Sequence, residues 1–211
     1  MNSLKNRLNK YAASAAAVTA AVAVSGPVSS ANAAIVHSGI VNQTIAATTN
    51  GLYLNVVTGA INEPGNGPGS TVPGWDVNFW SSTGFGLFNA SGPGGTYVLT
   101  STGWASNMAP GASIGAGLLY GSGTSGNNSQ WNLNSDQNLV GFRFVNEANG
   151  NAIHYGWARI SFGATVTSRS LVEYAYEDVA GGSIGAGVVP APAAMALLGM
   201  GGLVAARRRR A

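Results

Sequence analysis

Between residues 140 and 177, apolar side chains recur with the two-residue period of a β-strand, three times over. Val140, Phe142 and Phe144 alternate with Gly141, Arg143 and Val145. Ile153, Tyr155 and Trp157 alternate with His154, Gly156 and Ala158, and Val172, Tyr174 and Tyr176 follow at the same spacing. Successive side chains of a strand point to opposite faces, so each run presents one apolar face. Ala148-Asn149-Gly150-Asn151 separates the first two runs. Asn-Gly is the favoured central pair of a type I′ hairpin turn, because both central residues need positive φ. Phe162-Gly163-Ala164 turns the chain again. The segment predicts an antiparallel meander.

The rest of the body carries shorter signals of the same kind. Residues 34–41 begin a strand, and 51–57 place Leu52, Leu54 and Val56 on one face. Residues 58–74 form a loop with Pro64, Pro68 and Pro73. Trp75, Val77 and Phe79 alternate with Asp76, Asn78 and Trp80; short strands at 84–89 and 97–100 follow. Residues 101–138 read mostly as loop, with 121–128 close to a linker in composition. So long a loop in a compact domain implies a further strand around residues 118–120. Residues 183–187 read as a stalk, with an edge strand as the alternative. Cysteine is absent, so packing alone must hold the body together, and Trp75, Trp80, Trp104, Trp131 and Trp157 argue against disorder. The expected fold is all-β: a single antiparallel β-sandwich, jelly-roll-like, over residues 34–187. Its core would include Phe142, Phe144, Ile153 or Ala158, Trp157 and Val172. A small barrel is the alternative.

Both ends of the chain are address labels. Lys5, Arg7 and Lys10 precede an Ala-rich apolar core over residues 11–24, then Gly26 and Pro27, then Ala31-Asn32-Ala33. This is a signal peptide over 1–33, with cleavage expected between Ala33 and Ala34. Residues 188–211 hold Val189-Pro190-Ala191-Pro192, an apolar run over 193–206, and Arg207, Arg208, Arg209 and Arg210. At about 1.5 Å per residue the run reaches roughly 21 Å, short of the ~30 Å hydrocarbon core, and the arginines act as a stop-transfer device.

In order and spacing the two ends resemble the PEP-CTERM proteins of Gram-negative-type bacteria, with Ala191 where that family usually carries Glu. The run from Gly141 to Asp178 also resembles segments upstream of that sorting signal. The resemblance implies Sec machinery, signal peptidase and an exosortase-type processing enzyme as partners. It also implies transient anchoring in the inner membrane through the C-terminal helix, then release to the cell surface or extracellular matrix.

Once these labels are set aside, the charge reverses. The whole-chain pI near 9.5 belongs to the signals. Residues 34–187 hold only Arg143, Arg159 and Arg169 against seven carboxylates, a formal charge of −4. Nucleic acid is therefore excluded as a partner.

No catalytic, cofactor or metal site is expected. His37 and His154 are far apart in sequence and read as half-exposed strand residues, and no Cys accompanies them. Asn132, Asn134 and Asp136 alternate as in a calcium loop but lack its Gly and terminal Glu. A glycosidase needs two carboxyls about 5–10 Å apart; Glu173, Glu177, Glu63 and Asp76 read more simply as solubilising charge. The expected role is that of an exported, non-enzymatic surface or matrix protein. A polysaccharide-binding, lectin-like module is the alternative. Trp75 and Trp80 differ by five residues and should face opposite ways in one strand. Trp80, alternating with Asp76 and Asn78, is the candidate glycan contact, which leaves Trp75 for the core.

Overall fold

The computed structural model describes residues 34–62, 71–88, 96–124 and 129–190. The expected leader over residues 1–33, Glu63, Ala191, Pro192, the apolar run over 193–206 and Arg207–Arg210 lie outside them.

The described chain is all-β and its strand pairs are antiparallel. In chain order the early strands are β1 (Ile35–His37), β2 (Gln43–Thr44), β3 (Leu52–Leu54), β4 (Val77–Trp80), β5 (Gly86–Phe88) and β6 (Tyr97–Val98). They are followed by β7 (Ser113–Ile114), β8 (Tyr120–Gly121), β9 (Gly123–Thr124), β10 (Ser135–Asn146), β11 (Ala152–Phe162), β12 (Arg169–Glu177) and β13 (Ile184–Gly185). The large sheet runs β1-β12-β11-β10-β6-β8, with β2 also on β12. The small sheet runs β3-β4-β5-β9, and β7 pairs with β13 in a separate ribbon.

The expected meander is the spine of the large sheet, and both of its faces are covered. Val140, Phe142 and Phe144 of β10, Ala158, Ile160 and Phe162 of β11 and Tyr174 and Tyr176 of β12 share one core with the small sheet. The latter contributes Leu52, Leu54, Val77, Phe79 and Leu87. Each fully buried Phe or Leu here contributes about 1.5–3 kcal/mol. On the opposite face Leu139, Tyr155, Trp157 and Ala175 pack against Ile114 and Ile184 of the β7–β13 ribbon.

Three details depart from the sequence reading. First, Arg159 pairs with Glu173 but Ile160 pairs with Leu171, so Val172 is the extra residue of a bulge. Leu171 therefore enters the shared core and Val172 joins neither cluster. Second, the β10–β11 loop is no two-residue type I′ turn. A 3₁₀ turn over Glu147–Asn149 is capped by the Asn146 side chain and closed by Gly150 at φ 63° and Asn151 at φ 60°. The left-handed pair sits one residue later than expected. Third, residues 183–187 are no free stalk, because Ile184 and Gly185 form β13 against β7. The strand expected near residues 118–120 is β8, at Tyr120–Gly121.

Two side chains tie the sheets' ends together. Tyr97, fully buried in β6, accepts the Asn78 N–H at 2.7 Å and donates to the Phe88 carbonyl at 2.8 Å, joining the large sheet to β4 and β5. Burial raises the pKa of its phenol, so the tie keeps its proton. Arg169, also buried, donates to the carbonyls of Gly84, Val166, Ala46 and Ser81.

Candidate functional site

Register builds an aromatic surface on the outer face of the small sheet. Val77 and Phe79 of β4 point into the core, so Asn78 and Trp80 point away from it. Asn78 lies between Tyr53 and Phe88, and Trp80 lies opposite Gly86. Tyr53, Asn78, Trp80 and Phe88 thus share one face. Gly86 lets the indole lie down, because a Cβ there would stand 2.9 Å from Trp80 Nε1. Asn78 is fully buried, its amide spent on the carbonyls of Asn50 and Leu52 at 2.8 and 3.0 Å.

Two further indoles reach this surface from outside the strands. Trp75 stands edge-on to Tyr53 at 4.7 Å and 6.1 Å from Phe88. It is half-buried beside that outer pair, not in the core as expected. The strand begins only at Val77, after Gly74 at φ 62°, so its alternation does not extend back to residue 75. Trp104 sits in a tight turn in which Thr100 N–H donates to the Trp104 carbonyl at 2.8 Å, with Gly103 at φ 82°. Trp104 is 46 % exposed and Phe88 44 %.

These side chains frame two shallow hollows. One of about 300 Å³ is lined by Trp80, Leu87, Phe88, Trp104, Ser122 and Thr124, among others. The other, about 210 Å³, is lined by Thr49, Tyr53, Asn78, Trp80 and Phe88. Trp80 and Phe88 belong to both, and no charged side chain among the described residues lines either. Stacking surfaces ringed by hydroxyls suit a flat ligand with an apolar face and a polar rim. Trp80 stands where its alternation with Asn78 placed it. Tyr53 was readable in the same way, since it falls between the core residues Leu52 and Leu54. Trp104 and Phe88 meet only through the fold.

The charged groups are placed elsewhere and are mostly not solubilising. Glu173 is buried on the large sheet, where Arg159 ion-pairs with it and His37 Nε2 lies 2.9 Å from its Oε2. Burial first, then the Arg159 charge, lower the His37 pKa. His37 is half-buried as expected, and its ring lies 6.2 Å from that of Trp157. Glu177 is also buried and accepts the Val179 N–H at 3.2 Å. Asp76 accepts the Val56 N–H at 2.7 Å. Burial pushes its carboxyl up to about 7, partly offset by that hydrogen bond and reinforced by Glu147. His154, expected to be half-exposed, is fully buried. Its Nδ1 donates to the Glu177 carbonyl at 2.8 Å and its Nε2 accepts from Asn149 at 3.1 Å.

The Asn132–Asp136 run folds around Asn138, whose side chain bonds the backbone of Asn132 and the amide of Asn107. Among the described residues no cluster of His, Asp and Glu has the makeup to hold a metal ion, and no helix is long and apolar enough to cross a membrane. Val189, in the stretch expected to be a sorting motif, is exposed just beyond Val188, whose carbonyl accepts Trp157 Nε1 at 3.0 Å.

Architecture and surface together define a class, an all-β antiparallel domain with an uncharged aromatic face. Comparison with protein-family models, curated proteins and solved structures finds no match to this chain.

Proposed function

We propose that this chain is an exported, non-enzymatic protein of the cell surface or extracellular matrix that binds a neutral polysaccharide. Binding uses the outer face of its four-stranded sheet. One observation carries the reading: Trp80 and Phe88 are shared by two adjoining hollows, so successive rings of one chain find aromatic faces side by side. The smaller hollow is on the order of one sugar ring, and apolar sugar faces stack on indoles and phenyls. Charge argues for a neutral polymer. Arg143 stacks on Tyr120 at 4.3 Å, Arg159 holds Glu173 and Arg169 is buried on carbonyls. Residues 34–187 contain no other cation to meet a uronate or sulfate.

The rest of the reading concerns architecture and route. The core shared by the large and small sheets supports a two-sheet sandwich. The leader and tail support Sec export, cleavage between Ala33 and Ala34, and transient anchoring through residues 193–206 and Arg207–Arg210. Exosortase-type processing near Val189-Pro190-Ala191-Pro192 then delivers the domain to an exopolysaccharide-rich envelope.

The test is a pull-down of the exported protein on insoluble neutral glucans, xylan and chitin, beside alginate and hyaluronan. Binding to a neutral polymer that is lost in Trp80→Ala supports the reading. Undiminished binding by that variant removes the site, and release of soluble sugar overturns the non-enzymatic assignment. Intact mass of the mature protein checks the route: a chain still ending in the four arginines would make the tail a permanent anchor.

A further inference from the structure

Ala34 makes a contact that the ladder alone does not require. Its backbone N–H donates to Asp178 Oδ1 at 2.9 Å, and its carbonyl accepts the Asp178 N–H at 3.1 Å. Asp178 directly follows β12, whose last residue Glu177 is the register partner of Ile35 in β1. The clasp is therefore the next rung of the β1–β12 pair, with a carboxylate in the place of a backbone carbonyl. Ala34 is exposed and the strand begins at the following residue. A cut between Ala33 and Ala34 leaves no loose residue ahead of the sheet and places the newly made amine at Asp178.

We propose that Asp178 is the counter-ion of the mature amino terminus, so that removal of the leader itself fastens β1 to the large sheet. The proposal rests on the export reading. Hydrolysis of the Ala33–Ala34 bond consumes one water; Ala33 leaves as a carboxylate and the Ala34 nitrogen becomes an amine. With an ordinary α-amino pKa of about 7.7–8, that amine takes up a proton at neutral pH. An amide N–H···carboxylate bond, already charge-assisted through its acceptor, thereby becomes an ammonium–carboxylate pair in which the donor is ionised as well. Solvent exposure keeps the gain modest.

The fastening has a structural consequence. β1 is an edge strand of three residues that carries His37, whose Nε2 contacts Glu173. Holding its first residue keeps His37 over the Glu173–Arg159 pair. Glu177 is the other carboxylate at this end of β12, and its Oε1 is occupied by the Val179 N–H. Its negative charge favours the ammonium in the same direction. His37, Glu173 and Arg159 lie further along the same strands.

The test uses exported, processed protein and two variants. Amino-terminal sequencing should begin at Ala34; any other start overturns the proposal. The α-amino pKa, read from the pH dependence of its acylation rate, should lie about half a unit to one unit above the ordinary value and fall back in Asp178→Asn. A second variant inserts one alanine after Ala34, moving the amine by about 3.3 Å, one strand residue, with Asp178 intact. It should also return to the ordinary value. Equal pKa values in all three proteins would sink the proposal even though each is folded. Glycan binding is a separate readout: its loss without a pKa change, or the reverse, tells the failure of one reading from that of the other.

Discussion

Trp157 and Trp80 both stand on strands, yet the two sheets use them in opposite ways. Trp157 stands in the middle of an eleven-residue strand whose two faces are both covered; it is fully buried and its indole N–H is spent on the Val188 carbonyl. Trp80 ends a four-residue strand in a sheet with one face on the core, and its other face carries the two hollows. Strand length and coverage, not residue type, decide which indole is structural. A sheet of two- to four-residue strands contributes little beyond its inner face, which leaves the outer face available to a ligand.

Paired substitutions break this comparison most directly. Trp157→Ala should destabilise the domain by about 3–5 kcal/mol, lowering the thermal midpoint by roughly 6–20 °C at about 2–4 °C per kcal/mol. Trp80→Ala should cost about 1 kcal/mol and abolish polysaccharide binding. Thermal unfolding and pull-down on the same samples decide the matter. Equal losses of stability would mean that the small sheet has no spare face.

Arg169 tests the closed side of the comparison. It gathers carbonyls from residues 46, 81, 84 and 166, and its guanidinium carbon lies 5.5 Å from the Phe85 ring centroid. Burial depresses its pKa to about 10, so it remains charged at neutral pH. Arg169→Met keeps the volume and strands the carbonyls, at a cost of about 3 kcal/mol. Denaturant titration should show this loss, with binding to glycan unchanged in the folded fraction.

The meander was legible because residues 140–145, 153–158 and 173–177 each kept one period, and so was the outward direction of Trp80. The failures have physical causes. The two-residue strands β2, β7 and β9 are too short for periodicity to register; β8 was reached only through the length of its loop and β13 only as an alternative. Val172 is buried as expected but joins neither cluster, and Leu171 was missed, because a bulge restarts the alternation and no residue in 169–177 announces one. Trp75 was assigned inward by extending the alternation beyond the strand that produces it. Glu173 was read as solubilising because Arg159 and His37 reach it from neighbouring strands across two pairings. Phe88 and Trp104 line one hollow although they are far apart in sequence, so composition could nominate aromatics but not group them.

Asp76 gives a smaller effect, one that depends on pH. Its folded pKa of about 7 lies above the ordinary 3.8, with burial the leading cause. A raised acid favours the folded state when protonated. That stability is fully present below about pH 4, is lost as pH rises to about 7, and stays lost above it. Asp76→Asn retains an acceptor for the Val56 N–H and removes the ionisation. The variant should exceed wild type by about 1–3 kcal/mol at pH 8, allowing for partial exposure, with the difference shrinking toward pH 4. Denaturation at pH 4, 6 and 8 checks the sign. A difference that grows as pH falls would mean that the carboxylate, not the acid, is the favoured folded form.

Gly86→Ala should produce the smallest stability change and the sharpest test of the open face. An added Cβ would lie 2.9 Å from Trp80 Nε1 and 3.0 Å from Cε2, so the indole must lift by a few tenths of an ångström. The backbone at residue 86 is not among those with positive φ, so alanine adds no strain there. Alanine also gains about 0.4–1 kcal/mol by restricting the unfolded chain, which offsets the cost of moving the ring. Stability should therefore stay within about 1 kcal/mol of wild type. The platform itself changes, because both hollows include Trp80. Affinity for a neutral polysaccharide should fall about fivefold, equivalent to roughly 1 kcal/mol, with a shift in tryptophan emission. Unchanged affinity alongside a shifted emission would show that the ring moves without mattering to the ligand, and the binding surface would then have to exclude Trp80.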